Sequence, residues 1–168
     1  MHFFKTLSIA AIALGAVSNA APLTEQVGLS LAARGNGSSK PTTCTTESAA
    51  SVAAIQSLPG NALFWSDVSL PRVEALQKKS RRHPLRDVFP DNIRNEITTT
   101  CQTTGGDHWE VMSEAMAGMA SGETWVLKDT PGHVGDKYWN MEYAIMAQHR
   151  QVKLWRVNDA GVKLEQLL

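Results

Sequence analysis

The feature that most limits how this chain can fold is the alternation of short apolar runs with helical stretches. Glu123 to Lys128 reads as a strand, Tyr138 to Arg150 as a helix and Val152 to Val157 as another strand. Upstream, Asn61 to Trp65 is a short apolar run bounded by the Pro59-Gly60 turn, as a buried strand is. Between these strands, Asp107 with Glu110 three residues on makes a capping-box-like start, and Trp109, Met112, Met116 and Met119 recur at helical spacing until Gly122. This order predicts an α/β fold, an open and mostly parallel sheet with flanking helices and right-handed crossovers.

A small N-terminal helical portion precedes the first strand. Thr46 is placed to cap a helix over Glu47 to Ser57, with Glu47 in the first turn where the helix dipole favours an acid. Pro71 suits the first position of a helix running to about Lys79, because its missing N–H is no loss there. From Ser80 to Thr104 the period breaks down around Pro84 and Pro90, leaving a short helix over Asp91 to Ile97. The tail from Asn158 to Leu168 is left open between a short strand and a short helix.

The first residues read as an address. One lysine, Lys5, precedes the unbroken small and apolar run Leu7 to Val17, and Ser18-Asn19-Ala20 ends in residues a signal peptidase accepts. That run is shorter than the roughly 20 apolar residues a membrane helix needs. Residues 1–20 are therefore expected to be a signal peptide on a secreted, extracellular protein with no membrane span. Residues 21–43 read as a linker or pro-segment, because the Gly-Ser-Lys-Pro run from Gly35 to Pro41 offers little apolar surface to bury. Asn36-Gly37-Ser38 is a glycosylation sequon within it, which makes Asn36 the candidate acceptor. Residues 44–168 are then a single domain with one core.

Formal net charge is zero, which argues against a nucleic-acid or membrane-surface binder. The two cysteines, Cys44 and Cys101, most simply form one disulfide in an oxidising compartment. With no histidine at ligand spacing they do not make a zinc site, and His83, His108, His133 and His149 are too scattered to suggest any metal.

Chemistry points to Lys137-Tyr138-Trp139-Asn140-Met141-Glu142, where a carboxylate follows two aromatic rings at a helix start. In open α/β sheets ligands collect beyond the carboxyl ends of the strands. Trp65 ends the first strand and is followed by Ser66-Asp67, while Trp109 begins a helix with Ser113 one turn later on the same face. Each of these has an ordinary alternative: Trp65 and Trp109 as packing rings, Glu142 as a solvated acid. Trp125 and Trp155 lie inside predicted strands and are assigned to packing.

Leu63-Phe64-Trp65-Ser66, His108-Trp109 with Ser113 following, Tyr138 to Glu142, and then Leu154-Trp155 resemble, in order and approximate spacing, the C-terminal half of the ADP-ribosyl cyclase and NAD glycohydrolase family. That family shows a Leu-Phe-Trp-Ser strand end, a Phe-Trp helix start with Ser four residues beyond the Trp, and an aromatic residue four before a catalytic Glu. The resemblance covers roughly Leu63 to Val157. It implies that 44–168 is an ADP-ribosyl-cyclase-like domain of an enzyme that consumes NAD, releasing nicotinamide and ADP-ribose with some cyclic product. The alternative is a catalytically inactive secreted binding or effector protein on the same fold.

The resemblance also assigns roles. Trp65, Trp109 and Glu142 match the catalytic set, the rings holding the nicotinamide–ribose end and the carboxylate stabilising an oxocarbenium-like centre. Ser66, Ser113 and Tyr138 match substrate-binding positions, the serines on phosphates, with backbone N–H groups at the Tyr138 helix start as further phosphate donors. NAD is substrate here, with no resident cofactor. Two positions depart from the family: Asp67 stands where an Arg follows the Ser, and in Pro84-Leu85-Arg86-Asp87 Arg86 stands where a second Glu is expected. The balance between hydrolysis and cyclisation is left open by that change. The basic run Lys78-Lys79-Ser80-Arg81-Arg82-His83 admits three readings, a solvated surface, a steering patch for phosphates, or a dibasic processing site at Arg81-Arg82.

Overall fold

The computed structural model describes residues 41–168. The predicted signal peptide, most of the predicted linker and the Asn36 sequon lie outside these residues. In chain order the elements are α1 (Thr46–Val52), β1 (Leu58–Pro59), β2 (Leu63–Ser66), α2 (Leu70–Ser80), α3 (Leu85–Val88), α4 (Asp91–Thr104), α5 (His108–Met119), β3 (Ala120–Lys128), α6 (Lys137–Gln148), β4 (Val152–Val157) and β5 (Lys163–Gln166).

The sheet is mixed and mostly parallel. β3 is its spine: β1 and β2 pair in succession along one side of it and β4 along the other, all parallel, and β5 closes the edge antiparallel to β4. Register sets Trp65 beside Leu127 and Ser66 beside Lys128, at the carboxyl ends of β2 and β3. Side-chain alternation gives the sheet two apolar faces. Phe64, Val126 and Leu154 face the main core with residues of α1, α3, α4, α5 and α6. Leu63, Leu127 and Val157 face a smaller core closed by Val73 and Leu76 of α2, with Trp125 and Trp155 packed against it as expected.

Local departures have physical causes. Thr45, not Thr46, caps α1, accepting from the Ser48 N–H. The helix stops at Val52 rather than Ser57, because Ala53 turns extended and the Ala54 N–H donates to the Val88 carbonyl at 2.8 Å, freeing Leu58 to pair with Ala120. α4 continues seven residues past Ile97 to Thr104. Its threonines bond back to their own helix, Thr99 to the Asn95 carbonyl and Thr100 to that of Glu96, and left-handed Gly105 ends it. α5 gives way to β3 at Ala120 and not at Gly122. Gly122 is held inside the strand at φ +64°, where an added Cβ would stand 3.3 Å from the Gly60 nitrogen.

The disulfide joins Cys44 to Cys101 with Cα atoms 4.7 Å apart, fastening the segment before α1 to α4. Pro41, at the end of the predicted linker, is buried, and Thr100 donates to its carbonyl at 3.2 Å. Among the described residues no helix is long and apolar enough to cross a membrane.

The basic run is only partly the solvated surface that its composition suggests. Lys78, Lys79 and Arg81 are exposed, but Arg82 is 8% exposed, with its guanidinium 3.9 Å above the Trp125 ring and 3.0 Å from Glu123. It therefore covers the α2 face of the sheet and is neutralised there, which removes it from any steering role on the opposite face. Its burial also withholds half of the Arg81-Arg82 pair from a processing protease.

Candidate active site

One cavity of about 220 Å³ opens between the end of β2 and the first turns of α5 and α6. Phe64 and Trp65 enter it from β2, Leu85 from α3, Trp109, Ser113 and Met116 from α5, Tyr138 and Glu142 from α6, and Asp136 from the residue before α6. Five of the residues singled out in the sequence, Trp65, Trp109, Ser113, Tyr138 and Glu142, thus come together from three elements.

Each reaches the cavity for a local reason. Asp107 caps α5, its Oδ1 accepting from the N–H groups of Trp109 at 3.0 Å and Glu110 at 3.3 Å. That start sets Trp109 on the outermost turn, 39% exposed beside His108, while Ser113 one turn on is buried and Met116 lies a turn deeper. Asp136 caps α6 in the same way, accepting from the Trp139 N–H at 2.9 Å. Tyr138 then stands at the rim, and Glu142 four residues later is drawn inside, 7% exposed.

The two helix starts are tied through one carboxylate. Asp107 Oδ2 accepts from the Tyr138 hydroxyl at 3.1 Å and from the Lys137 ammonium at 3.3 Å, and Lys137 also reaches Glu110 at 2.6 Å. Burial acts to raise the Asp107 pKa, but the Glu110 N–H, the Tyr138 hydroxyl and the Lys137 ammonium outweigh it and hold it below the ordinary value. Under α6, Trp139 is fully buried against Phe64 and donates its indole N–H to the His133 carbonyl at 2.6 Å.

Ser66 does not line the cavity. It is buried behind Asp136, its hydroxyl 3.1 Å from Asp136 Oδ2 and 3.3 Å from Asp67 Oδ2. Gly135 closes over this contact, since a Cβ there would stand 2.7 Å from Ser66 Oγ and 2.4 Å from the Trp139 ring. Asp67 itself is exposed in a left-handed turn, φ +57°.

Glu142 has the most perturbed carboxyl at the site. Burial raises its pKa from 4.5 to about 8, the Ser113 hydroxyl opposing that shift and the negative charge of Asp136 reinforcing it. Glu142 therefore holds its proton at neutral pH while the cavity is empty. A cation entering the cavity, or developing there, favours the carboxylate and reverses that balance. Such a group is suited to answer positive charge as it forms.

Phe64, Leu85, Met116 and Asp136 are the lining residues that the sequence does not assign to the site. The signal for Asp136 was present, an Asp at cap position just ahead of a helical pattern. The three apolar residues carry no signal that separates cavity lining from core. Cys44 and Cys101 bond to each other away from the cavity lining. No protein-family model matches this chain, and no curated protein matches it in sequence.

Proposed function

We propose that this chain is a secreted enzyme that cleaves the nicotinamide–ribose bond of NAD, giving nicotinamide and ADP-ribose, with cyclisation as a side outcome. The observation that carries the reading is the meeting of Trp65, Trp109 and Glu142 around one cavity. In this account the two indoles hold the pyridinium ring and its ribose, since flat electron-rich faces attract a flat cation. As the C1′–N1 bond stretches, its electron pair moves to the ring nitrogen and positive charge grows on the sugar. Glu142, ionised by that cation, stabilises the sugar charge, and Ser113 orients the carboxyl group. Water then adds at C1′ and gives up its proton to the Glu142 carboxylate. The disulfide and the apolar leader at 1–20 support export.

Incubation of the purified, disulfide-bonded domain with a fluorescent etheno analogue of NAD tests the reading. The expected result is a steady fluorescence rise; a flat trace with correctly folded protein rejects catalysis. A second reading, a catalytically inactive binding or effector protein on this fold, is favoured by the lack of any Lys or Arg in the lining among the described residues. It predicts NAD binding, seen as tryptophan quenching, that no substitution of Glu142 converts to or from turnover.

A further inference from the structure

Building on the reading that the cavity cleaves an N-ribosyl pyridinium bond, we infer that the site selects phosphate-free, positively charged N-ribosides over dinucleotides such as NAD. Charge at the cavity is the first ground. Among the described residues, its ionisable lining residues are Asp136, Tyr138 and Glu142, two acids and a phenol. The cations nearest in sequence to these elements are committed or lie off the lining. Lys137 is held by Asp107 and Glu110, Arg82 pairs with Glu123 on the other face of the sheet, and Lys128 donates its ammonium to the Thr130 carbonyl at 3.0 Å. Arg86 is exposed on α3 but is not among the lining residues.

The usual seats for phosphate are also taken. A helix N-terminus binds an anion through unpaired N–H groups and the positive end of the helix dipole. Both helices that open on this cavity carry a carboxylate of the chain itself in that place, Asp107 on α5 and Asp136 on α6. At the α6 start, where the resemblance implies phosphate donors, Asp136 takes the Trp139 N–H and sets a negative charge beside the rest. Ser66 is no better placed, because a hydroxyl has one proton and two carboxylates lie within 3.3 Å of it. A phosphate oxygen arriving there would meet acceptors, not donors, with Asp67 exposed beside them.

Size points the same way. A cavity of about 220 Å³ is smaller than the roughly 300–1,000 Å³ that encloses drug-sized ligands. It takes a ring and a sugar, leaving the remainder of a dinucleotide outside; the lining acid Asp136 is joined through the Ser66 hydroxyl to exposed Asp67. The reaction balances without any other reactant: the C1′–N1 bond breaks, its electron pair neutralises the pyridinium nitrogen, water oxygen bonds to C1′, and the displaced proton passes to the Glu142 carboxylate. The products are the free base and ribose.

Nicotinamide release from nicotinamide riboside, nicotinamide mononucleotide and NAD, measured by chromatography at low and high salt, tests this selection. The expected kcat/KM for the riboside is at least about tenfold above that for NAD at low ionic strength, narrowing as salt screens the acids. Asp67→Asn, which keeps a residue tolerant of the left-handed turn, is expected to narrow the gap about threefold by removing one exposed charge. NAD cleaved as well as or better than the riboside overturns the inference while leaving the bond-cleavage reading intact. Loss of NAD turnover in Arg86→Ala also overturns it, by showing that a rim cation serves the pyrophosphate. Release from none of the three removes both the inference and the reading beneath it.

Discussion

Burial gives the Glu142 carboxyl two opposite consequences, one for stability and one for catalysis. Its folded pKa of about 8 lies above the ordinary 4.5, so the folded state holds a proton that the unfolded chain releases first. The stability this contributes is fully present below pH 4.5 and is lost as pH rises through 8. Glu142→Gln, neutral at every pH, is therefore expected to match the wild type in melting temperature at pH 4. Toward pH 8 it should exceed it by the equivalent of about 2 kcal/mol or more. Thermal unfolding of the pair across that range checks the prediction; an equal melting temperature at pH 8 would place Glu142 in solvent. The pH profile of kcat/KM should rise toward pH 8 in the free enzyme, while kcat, reporting the complex, should rise at lower pH because the bound cation favours the carboxylate. The spacing of Tyr138 and Glu142 was legible as one helix face. The burial was not, since it depends on Ser113 and Met116 of another helix, and neither was the part of Asp136, one carboxylate that caps α6, holds Ser66 and lines the cavity.

Among elements, the pairing of α5 with α6 sets the site. Asp107 joins them, capping one helix with Oδ1 and holding Tyr138 and Lys137 of the other with Oδ2. Asp107→Ala removes the cap and the tie together, so a loss of about 1–2 kcal/mol in stability is expected. KM should rise more than kcat falls, because Trp109 and Tyr138 at the rim lose their support while Glu142 keeps its place deeper in. Denaturant titration and steady-state kinetics on the same variant separate these effects; unchanged KM would show that the rim does not touch substrate. The α5 start was readable from Asp107 and the Trp–Met stripe, as was β4, whose bounds match the apolar run Val152 to Val157. α3 and the second half of α4 were not, because two prolines and a threonine-rich run give weak helical propensity that tertiary packing and the Cys101 bond override.

The whole molecule shows why alternation was the more reliable guide. Short apolar runs separated by helical stretches leave few arrangements other than a largely parallel sheet, and the spine β3 with β2 and β4 beside it is the arrangement found. The choice of a strand over a helix for the tail, β5 antiparallel at the edge, was not legible because its exposed Lys163, Leu164 and Gln166 give it no buried period. The disulfide acts at this scale, closing 57 residues that include α1, β1, β2, α2 and α3. Restricting the unfolded chain over a loop of that size contributes on the order of 4 kcal/mol. Reduction, or Cys44→Ser with Cys101→Ser, should lower the urea midpoint accordingly; an unchanged midpoint would mean that the packing of α4 alone holds that segment. The measurement that bears most directly on the central claim changes one atom group and leaves this framework intact. Nicotinamide released from NAD by the purified domain should fall at least about 100-fold in Glu142→Gln while Trp65 and Trp109 fluorescence still reports ligand binding, whereas equal release by the two proteins would contradict the assignment of chemistry to this cavity.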